Sequence, residues 1–170
     1  MSKNTKKIYL IRHAKSSQKE LDLDDFDRPL NKRGKRDVVF MAKRLKHFGI
    51  KPDLIISSPA LRATTTAQEI AKIIKYKEED IVYELALYAS NYEKYRYLID
   101  SIDPACKSVF IIAHNPEMTE VGERLSGAIL TDIPSCAIVC IEFLVDSFTD
   151  IKEESGKVLF FDYPKKHKID

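Results

Sequence analysis

The sequence predicts an α/β fold, a three-layer sandwich whose central sheet is mostly parallel and carries helices on both faces. Short apolar runs alternate along the chain with longer segments in which apolar residues recur at helical spacing. Strands that alternate with helices are typical of βαβ units and parallel sheets. The length of 170 residues suits one domain, because domains usually hold about 100–200 residues. We therefore expect a single domain over residues 1–170.

The strands are predicted from short apolar runs bounded by polar or turn-forming residues. In chain order they cover residues 8–11, 53–57, 81–83, 108–113, 137–144 and 157–161. Because no strong helix signal separates the last two, we expect them to pair as a hairpin and to make one strand antiparallel. The chain ends, 1–5 and 165–168, are expected to be loosely held.

Capping and helix-breaking residues set the bounds of the predicted helices. Asn31 is a typical N-cap residue, and Gly49 and Gly127 are typical of helix ends. Ser58 followed by Pro59 has the pattern of a cap and a first helical turn. Together with the apolar spacing, these signals predict helices over residues 31–48, 58–74, 91–102 and 116–125.

The composition argues against several classes of function. Lys and Arg total 28 against 26 Asp and Glu, and this small excess gives no case for binding to nucleic acid or to a membrane surface. None of the five glycines belongs to a GxGxxG or Walker motif. The three cysteines match no zinc spacing. Cys136 and Cys140 lie in an apolar run and are interpreted as buried residues, which suits a reducing cytoplasm. No apolar stretch approaches the ~20 residues of a membrane helix.

Polar side chains that suit phosphate chemistry follow the predicted strands. Arg12 and His13 end the first strand, and His114 ends the fourth. Arg62 falls near the start of the second helix, and Glu84 follows the third strand. Because the carboxyl ends of parallel strands meet at one edge of a sheet, we expect these five residues to gather there.

This set of side chains is the one that phosphoryl transfer without a metal requires. The transition state spreads negative charge over three equatorial oxygens. Arginines offer paired, permanently charged donors to those oxygens. A neutral imidazole attacks phosphorus and later passes the phosphoryl group to water. A carboxylic acid protonates the leaving group.

At these residues the chain resembles the histidine phosphatase superfamily, the phosphoglycerate-mutase-like group. The matching motifs occur in the family's order and are Leu-Ile-Arg-His-Ala at 10–14, Ser-Ser-Pro-Ala-Leu-Arg-Ala-Thr-Thr-Thr-Ala at 57–67, Tyr-Glu-Leu at 83–85 and Ile-Ile-Ala-His-Asn at 111–115. Within the superfamily the chain is most similar to the short SixA-type phosphohistidine phosphatases. That similarity is carried by Arg-His-Ala-Lys-Ser at 12–16 and by Asp-Arg-Pro-Leu at 27–30 followed by Gly34.

The resemblance implies a cofactor-independent phosphatase that works through a phosphohistidine intermediate. His13 would be the nucleophile, and Glu84 stands where the family carries its proton donor. The residues that would bind the phosphoryl oxygens are Arg12, Arg28, Arg62 and His114. Ala14 replaces the family's usual glycine, and Lys19 stands about where mutase-like members carry an asparagine, which argues against a mutase.

The short intervals on either side of Glu84 leave no room for a large lid over the pocket. A shallow pocket does not enclose a sugar phosphate but admits a phosphorylated side chain, so the leading hypothesis is a phosphohistidine protein as substrate. The alternatives are a sugar phosphatase or mutase of the same superfamily and an inactive phosphate-binding module.

Tyr88 is a candidate to line the pocket. The acidic stretch 20–27 and the basic stretch 32–36 are interpreted as solvated segments, with a docking surface at the pocket mouth as the alternative.

Overall fold

The computed structural model describes residues 4–19 and 22–167. Within these residues the strands are β1 Lys6–Arg12, β2 Leu54–Ser57, β3 Val82–Tyr83, β4 Ser108–Ala113, β5 Ile138–Phe143 and β6 Lys157–Asp162. The helices are α1 Lys32–His47, α2 Leu61–Ile74, α3 Tyr92–Asp100 and α4 Glu117–Ser126. Every strand and helix expected from the sequence is therefore present, with bounds shifted by at most a few residues.

The six strands form one mixed sheet in the order β3-β2-β4-β1-β5-β6. The first four strands in the chain run parallel to one another, whereas β5 is antiparallel to both of its neighbours. The predicted mostly parallel sheet with one antiparallel strand is confirmed, and the last two strands pair as expected.

Two apolar layers cover the faces of this sheet. Because successive side chains of a strand point to opposite faces, Ile8 and Leu10 of β1 pack in the layer that holds α3 and α4. Tyr9 and Ile11 pack in the layer that holds α1 and α2. The predicted three-layer sandwich is confirmed. In the described part of the chain no helix is both long and apolar enough to cross a membrane.

The helix ends follow the sequence signals with one exception. Asn31 caps α1 by accepting a hydrogen bond of 2.8 Å from the Gly34 N–H, and Gly127, with a φ of 73°, ends α4. The expected cap of the second helix at Ser58 is wrong, because α2 begins at Leu61 with Ala60 at the N-cap position. The Ser58 hydroxyl instead contacts an imidazole, as described below.

Residues 165–167 are more ordered than expected. Residues Pro164–His167 form a 3₁₀ turn, and the His167 imidazole pairs with the Asp162 carboxylate at 2.5 Å. Arg44 of α1 donates to the other oxygen of Asp162 at 2.8 Å. The expectation of a loose segment at 165–167 is therefore wrong, while Lys168 and residues 1–3 lie outside the described residues.

Candidate active site

The register between β1 and β4 places two histidines side by side. Arg12 pairs with Ala113 at the carboxyl ends of the two strands, and the His13 N–H donates to the Ala113 carbonyl at 3.1 Å. His13 and His114 therefore follow neighbouring positions of the same parallel ladder. Their ring centroids lie 5.0 Å apart, and both residues are buried.

The His13 ring is held as a neutral imidazole with one defined tautomer. Its Nδ1 lies 2.8 Å from the Ala14 carbonyl oxygen, and since a carbonyl only accepts, Nδ1 carries the proton. Burial lowers the pKa of His13 to about 3, and the nearby charges of Arg62 and Arg12 act in the same direction. Nε2 consequently keeps its lone pair at neutral pH, as a nucleophile requires.

His114 is also neutral and is oriented by Ser58. Its Nε2 lies 2.7 Å from Ser58 Oγ. That oxygen accepts a hydrogen bond of 3.2 Å from the Ala60 N–H. Burial, followed by the charge of Arg62, lowers the pKa of His114 to about 4. The Tyr88 ring contacts the imidazole edge-to-face, with 5.6 Å between centroids.

Two guanidinium groups flank the imidazole pair. Arg62, in the first turn of α2, is buried, and its charge acts on both histidines. Arg12 is fixed by a hydrogen bond of 2.8 Å from Nη1 to the Ile133 carbonyl. The structure thus brings the predicted Arg12 and Arg62 together with both histidines at one sheet edge.

A carboxylate that the sequence analysis did not single out joins the remaining predicted arginine to this group. Arg28 donates from Nε and Nη2 to Asp25 Oδ1 at 3.0 and 2.9 Å. Arg62 donates to Asp25 Oδ2 at 3.0 Å and to the Asp25 carbonyl at 2.6 Å. The Tyr88 hydroxyl donates to Oδ2 at 2.7 Å. The interpretation of residue 25 as part of a solvated stretch missed these contacts, although its spacing of three residues from Arg28 is typical of an ion pair on a helical turn.

These contacts keep Asp25 ionised. The hydrogen bond from Tyr88, together with those from Arg28 and Arg62, holds the pKa of the Asp25 carboxyl well below its usual range. The same bond to Asp25 raises the pKa of Tyr88 above its usual value. Tyr88 therefore lines the site, in agreement with its selection as a candidate. Glu20, at the other end of the acidic stretch, lies outside the described residues.

The loop that follows His13 is packed closely against α1 and α2. The Ala14 N–H donates to Thr66 Oγ1 at 3.0 Å, and the Asn31 N–H donates to the Lys15 carbonyl at 2.9 Å. A Cβ atom on Gly34 would lie 2.1 Å from that carbonyl oxygen. Glycine at position 34 thus allows the backbone contact that positions the loop.

The loop that follows His114 is fixed by the Asn115 amide. Its Nδ2 donates to Asp132 Oδ1 and to the Ile133 carbonyl, both at 2.9 Å. Its Oδ1 accepts from the Thr119 hydroxyl at 2.9 Å. The Ile133 carbonyl also holds Arg12, so the two strand-end loops share one support.

Glu84 lies at the same edge of the sheet. Its peptide N–H donates to the Ser57 carbonyl at 2.9 Å, directly before Ser58. The side chain is half-buried, and its carboxylate forms no hydrogen bond with the described residues. Glu84 therefore lies where the sequence predicts it, while its role as an acid stays a prediction.

The arrangement suits a tetrahedral anion. Within residues 4–19 and 22–167 no group of three or more His, Cys, Asp or Glu is placed to hold a metal ion. Three buried nitrogens at this edge, Arg12 Nε, Arg62 Nε and His114 Nδ1, have no hydrogen-bond partner among the described residues. Buried polar atoms without partners are rare in folded proteins, so their concentration here marks a site for a polar group.

Known proteins are similar to this chain in sequence. The family model of the histidine phosphatase superfamily (branch 1) matches residues 8–128. An uncharacterised chloroplastic protein of Arabidopsis thaliana is 28% identical over an aligned stretch of 160 positions, and the match covers 89% of this chain and 73% of that protein. The mitochondrial serine/threonine-protein phosphatase Pgam5 of Drosophila yakuba is 36% identical over 83 residues, which are 48% of this chain and 27% of that protein.

A solved structure extends the match over almost the whole chain. The Agrobacterium tumefaciens protein described as a phosphohistidine phosphatase, SixA, superposes with a TM-score of 0.81 at 27% identity. The superposition covers 94% of this chain and 98% of the other. The chain therefore belongs to the histidine phosphatase superfamily as a SixA-type member, and it is a phosphatase.

Proposed function

We propose that this phosphatase hydrolyses phosphohistidine on a protein substrate, without a cofactor and through a phosphohistidine intermediate on His13. The observation that carries the proposal is the neutral His13 ring, whose Nε2 keeps its lone pair beside Arg12, Arg62 and His114. A nucleophile with a lowered pKa among fixed positive charges suits attack on a phosphoryl group.

In the first step, His13 Nε2 attacks phosphorus, and the bond from phosphorus to the leaving nitrogen breaks with its electron pair. The phosphoryl oxygens are bound by the three predicted arginines, Arg12, Arg28 and Arg62, and by the imidazole of His114. Arginine suits this role because it gives paired hydrogen bonds and a permanent charge. In the second step, water attacks phosphorus, inorganic phosphate leaves and His13 returns to the neutral imidazole.

The size of the opening supports a protein substrate. Between Arg62 and Glu84 the chain forms the rest of α2, one short turn and β3, and between Glu84 and Ser108 it forms one short turn and α3. Neither interval carries a lid. The similarity to a protein described as a phosphohistidine phosphatase points to the same substrate class.

A basic groove beside the site offers a docking surface for such a protein. The groove has a volume of about 600 Å³, and five cations line it, Lys15, Lys19, Lys32, Arg33 and Lys35. The loop that follows His13 forms one side of this groove through Lys15. A surface of one charge sign favours partners of the opposite charge, so we expect an acidic protein around the phosphorylated side chain.

A trapping experiment tests the proposal. The protein is incubated with a ³²P-labelled phosphohistidine peptide and quenched within one turnover. We expect a base-stable, acid-labile label on His13 and no label on His13→Ala, which serves as the matched variant. A label on another residue, or turnover by His13→Ala at a near-normal rate, would contradict the proposed nucleophile.

The similarity to the serine/threonine-protein phosphatase Pgam5 favours a second candidate, a phosphoester on a protein. An alkoxide is a poorer leaving group than an imidazole and has greater need of a proton donor, a role that Glu84 would fill. Matched phosphohistidine and phosphoserine peptides, with a sugar phosphate as the third substrate, separate the candidates through their kcat/KM values. A clear preference for the phosphoserine peptide or for the sugar phosphate would reject phosphohistidine as the substrate.

A further inference from the structure

We propose that Asp25 determines specificity for an imidazole leaving group by accepting a hydrogen bond from the ring N–H that points away from phosphorus. This inference rests on the proposed function and assigns a part of the same site to the leaving group. Asp25 would touch substrate without taking part in bond formation to phosphorus.

The location of Asp25 supports this role. Its charge acts on His114, against the effect of burial on the pKa of that ring, and its carboxylate contacts the buried Arg62 from a side chain that is 53% exposed. Asp25 thus lies on the solvent side of Arg62. In a displacement with the attacking and leaving atoms in line, the leaving group departs on the side of phosphorus opposite His13. We place it toward the loops that supply Asp25 and Tyr88.

The hydrogen bonds of Asp25 are suited to an exchange with substrate. Its two oxygens accept four bonds, two from Arg28, one from Arg62 and one from Tyr88, which fills the usual capacity of a carboxylate. A bound phosphoryl group offers three acceptor oxygens to the same arginines. Each arginine donor that turns to a phosphoryl oxygen releases an acceptor site on Asp25, and an imidazolium N–H can take that site.

The negative charge of Asp25 also favours a phosphorylated imidazole as substrate. An ionised carboxylate attracts an imidazolium and repels the negative charge that develops on the oxygen of a departing alcohol. Specificity gained by repelling a competitor as well as attracting the substrate is common at charged sites. Asp25 should therefore favour a phosphorylated imidazole over an ester.

Aromatic rings beside Asp25 suit a flat leaving group. Tyr88 contacts the His114 ring edge-to-face, and Phe26 contacts Tyr88 in the same manner, with 5.1 Å between centroids. Both Phe26 and Tyr88 are half-buried. Such rings pack well against another planar ring.

Transfer of the phosphoryl group to His13 needs no proton from an additional acid. The substrate ring carries phosphorus on one nitrogen and a proton on the other. As the His13 Nε2–P bond forms, the P–N bond to the substrate breaks and its electron pair returns to the ring, which leaves as neutral imidazole. The proton stays on the distal nitrogen, hydrogen-bonded to Asp25, so no further acid or oxidant is needed.

The test compares two substrates that differ in the leaving group. Phosphoimidazole releases an imidazole, and p-nitrophenyl phosphate releases a stable phenolate that needs no proton. In Asp25→Asn, which keeps the shape and removes the charge, we expect kcat/KM for phosphoimidazole to fall at least tenfold more than that for p-nitrophenyl phosphate. Asp27→Asn removes an exposed charge from the same turn, and we expect both values to match the wild type.

Two outcomes for Asp25→Asn would contradict the inference. An equal fall for both substrates in Asp25→Asn would mean that Asp25 only holds the arginines, and it would overturn the inference while the proposed function stands. The wild-type values in Asp25→Asn would also overturn it. A failure of the proposed function would be recognised in the wild-type protein instead. That protein would then leave phosphoimidazole intact and acquire no label on His13.

Discussion

Replacing Arg62 with alanine should lower kcat/KM about 10²–10³-fold while the fold survives. The Arg62 side chain is 6% exposed, its two terminal nitrogens both donate to Asp25, and its charge acts on His13 and His114. Removing one preorganised donor from a developing oxyanion typically costs about 3–4 kcal/mol, which corresponds to this loss in rate.

The loss should come from weaker binding of the transition state and not from protonation of the nucleophile. Without the Arg62 charge the pKa of His13 rises, but burial, the largest cause of its lowered value, remains. His13 therefore stays neutral at pH 7. The acid limb of the kcat/KM profile should move toward neutral pH and remain below the ordinary imidazole value of about 6.5.

Stopped-flow phosphorylation of His13 by phosphoimidazole measures the effect. Arg62→Lys keeps the charge without the paired donors and should lie between the wild type and Arg62→Ala. Arg36→Ala, which removes an exposed arginine of α1, serves as the matched control and should match the wild type. A loss below tenfold in Arg62→Ala at an unchanged Tm would refute the assignment of Arg62 to the transition state.

Three further predictions follow from the same geometry. His13→Ala should abolish turnover with Tm within a few degrees of the wild type; measurable label transfer to the variant would contradict this. Gly34→Ala should lower the free energy of unfolding by at least about 1–3 kcal/mol, as overpacking does, because the new Cβ meets the Lys15 carbonyl oxygen at 2.1 Å; an unchanged urea midpoint would contradict it. The pKa values of His13 and His114 are lowered to about 3 and about 4, so their titration should leave kcat/KM flat above about pH 5. The free energy of unfolding should fall as pH drops below about 6.5, because the unfolded chain takes up protons there before the folded protein does. A kcat/KM profile with an acid limb near pH 6.5 would show that these rings are not held neutral.

The location of the two histidines was predictable from the sequence for a simple physical reason. A buried parallel strand is a continuous apolar run, so its last residue is visible, and parallel strands end at one edge of the sheet. His13 and His114 follow such ends, Glu84 follows the exposed edge strand β3, and the structure places all three at that edge. Their roles in chemistry stay predictions until the experiments above are done.

Ser58 and Asp25 make contacts that the sequence patterns did not predict. A serine before a proline has the pattern of a helix cap, yet the Ser58 hydroxyl bonds to His114, more than fifty positions away in the chain. An aspartate within an acidic stretch is usually solvated, yet Asp25 meets Arg62 and Tyr88. Both contacts join segments distant in sequence, and no local pattern encodes such a meeting.

The origin of the histidine pair in the β1–β4 ladder has a consequence for heat inactivation. Because His13 and His114 directly follow neighbouring rungs of the central sheet, we expect the proposed nucleophile and its neighbour to separate only when the sheet itself melts. Asp25 lies in a 3₁₀ turn and Tyr88 in a loop, both outside the sheet, where segments open at lower free energy than core strands. Warming should therefore erode discrimination between leaving groups before it erodes turnover, and the protein should pass through a temperature range in which it is active but less selective.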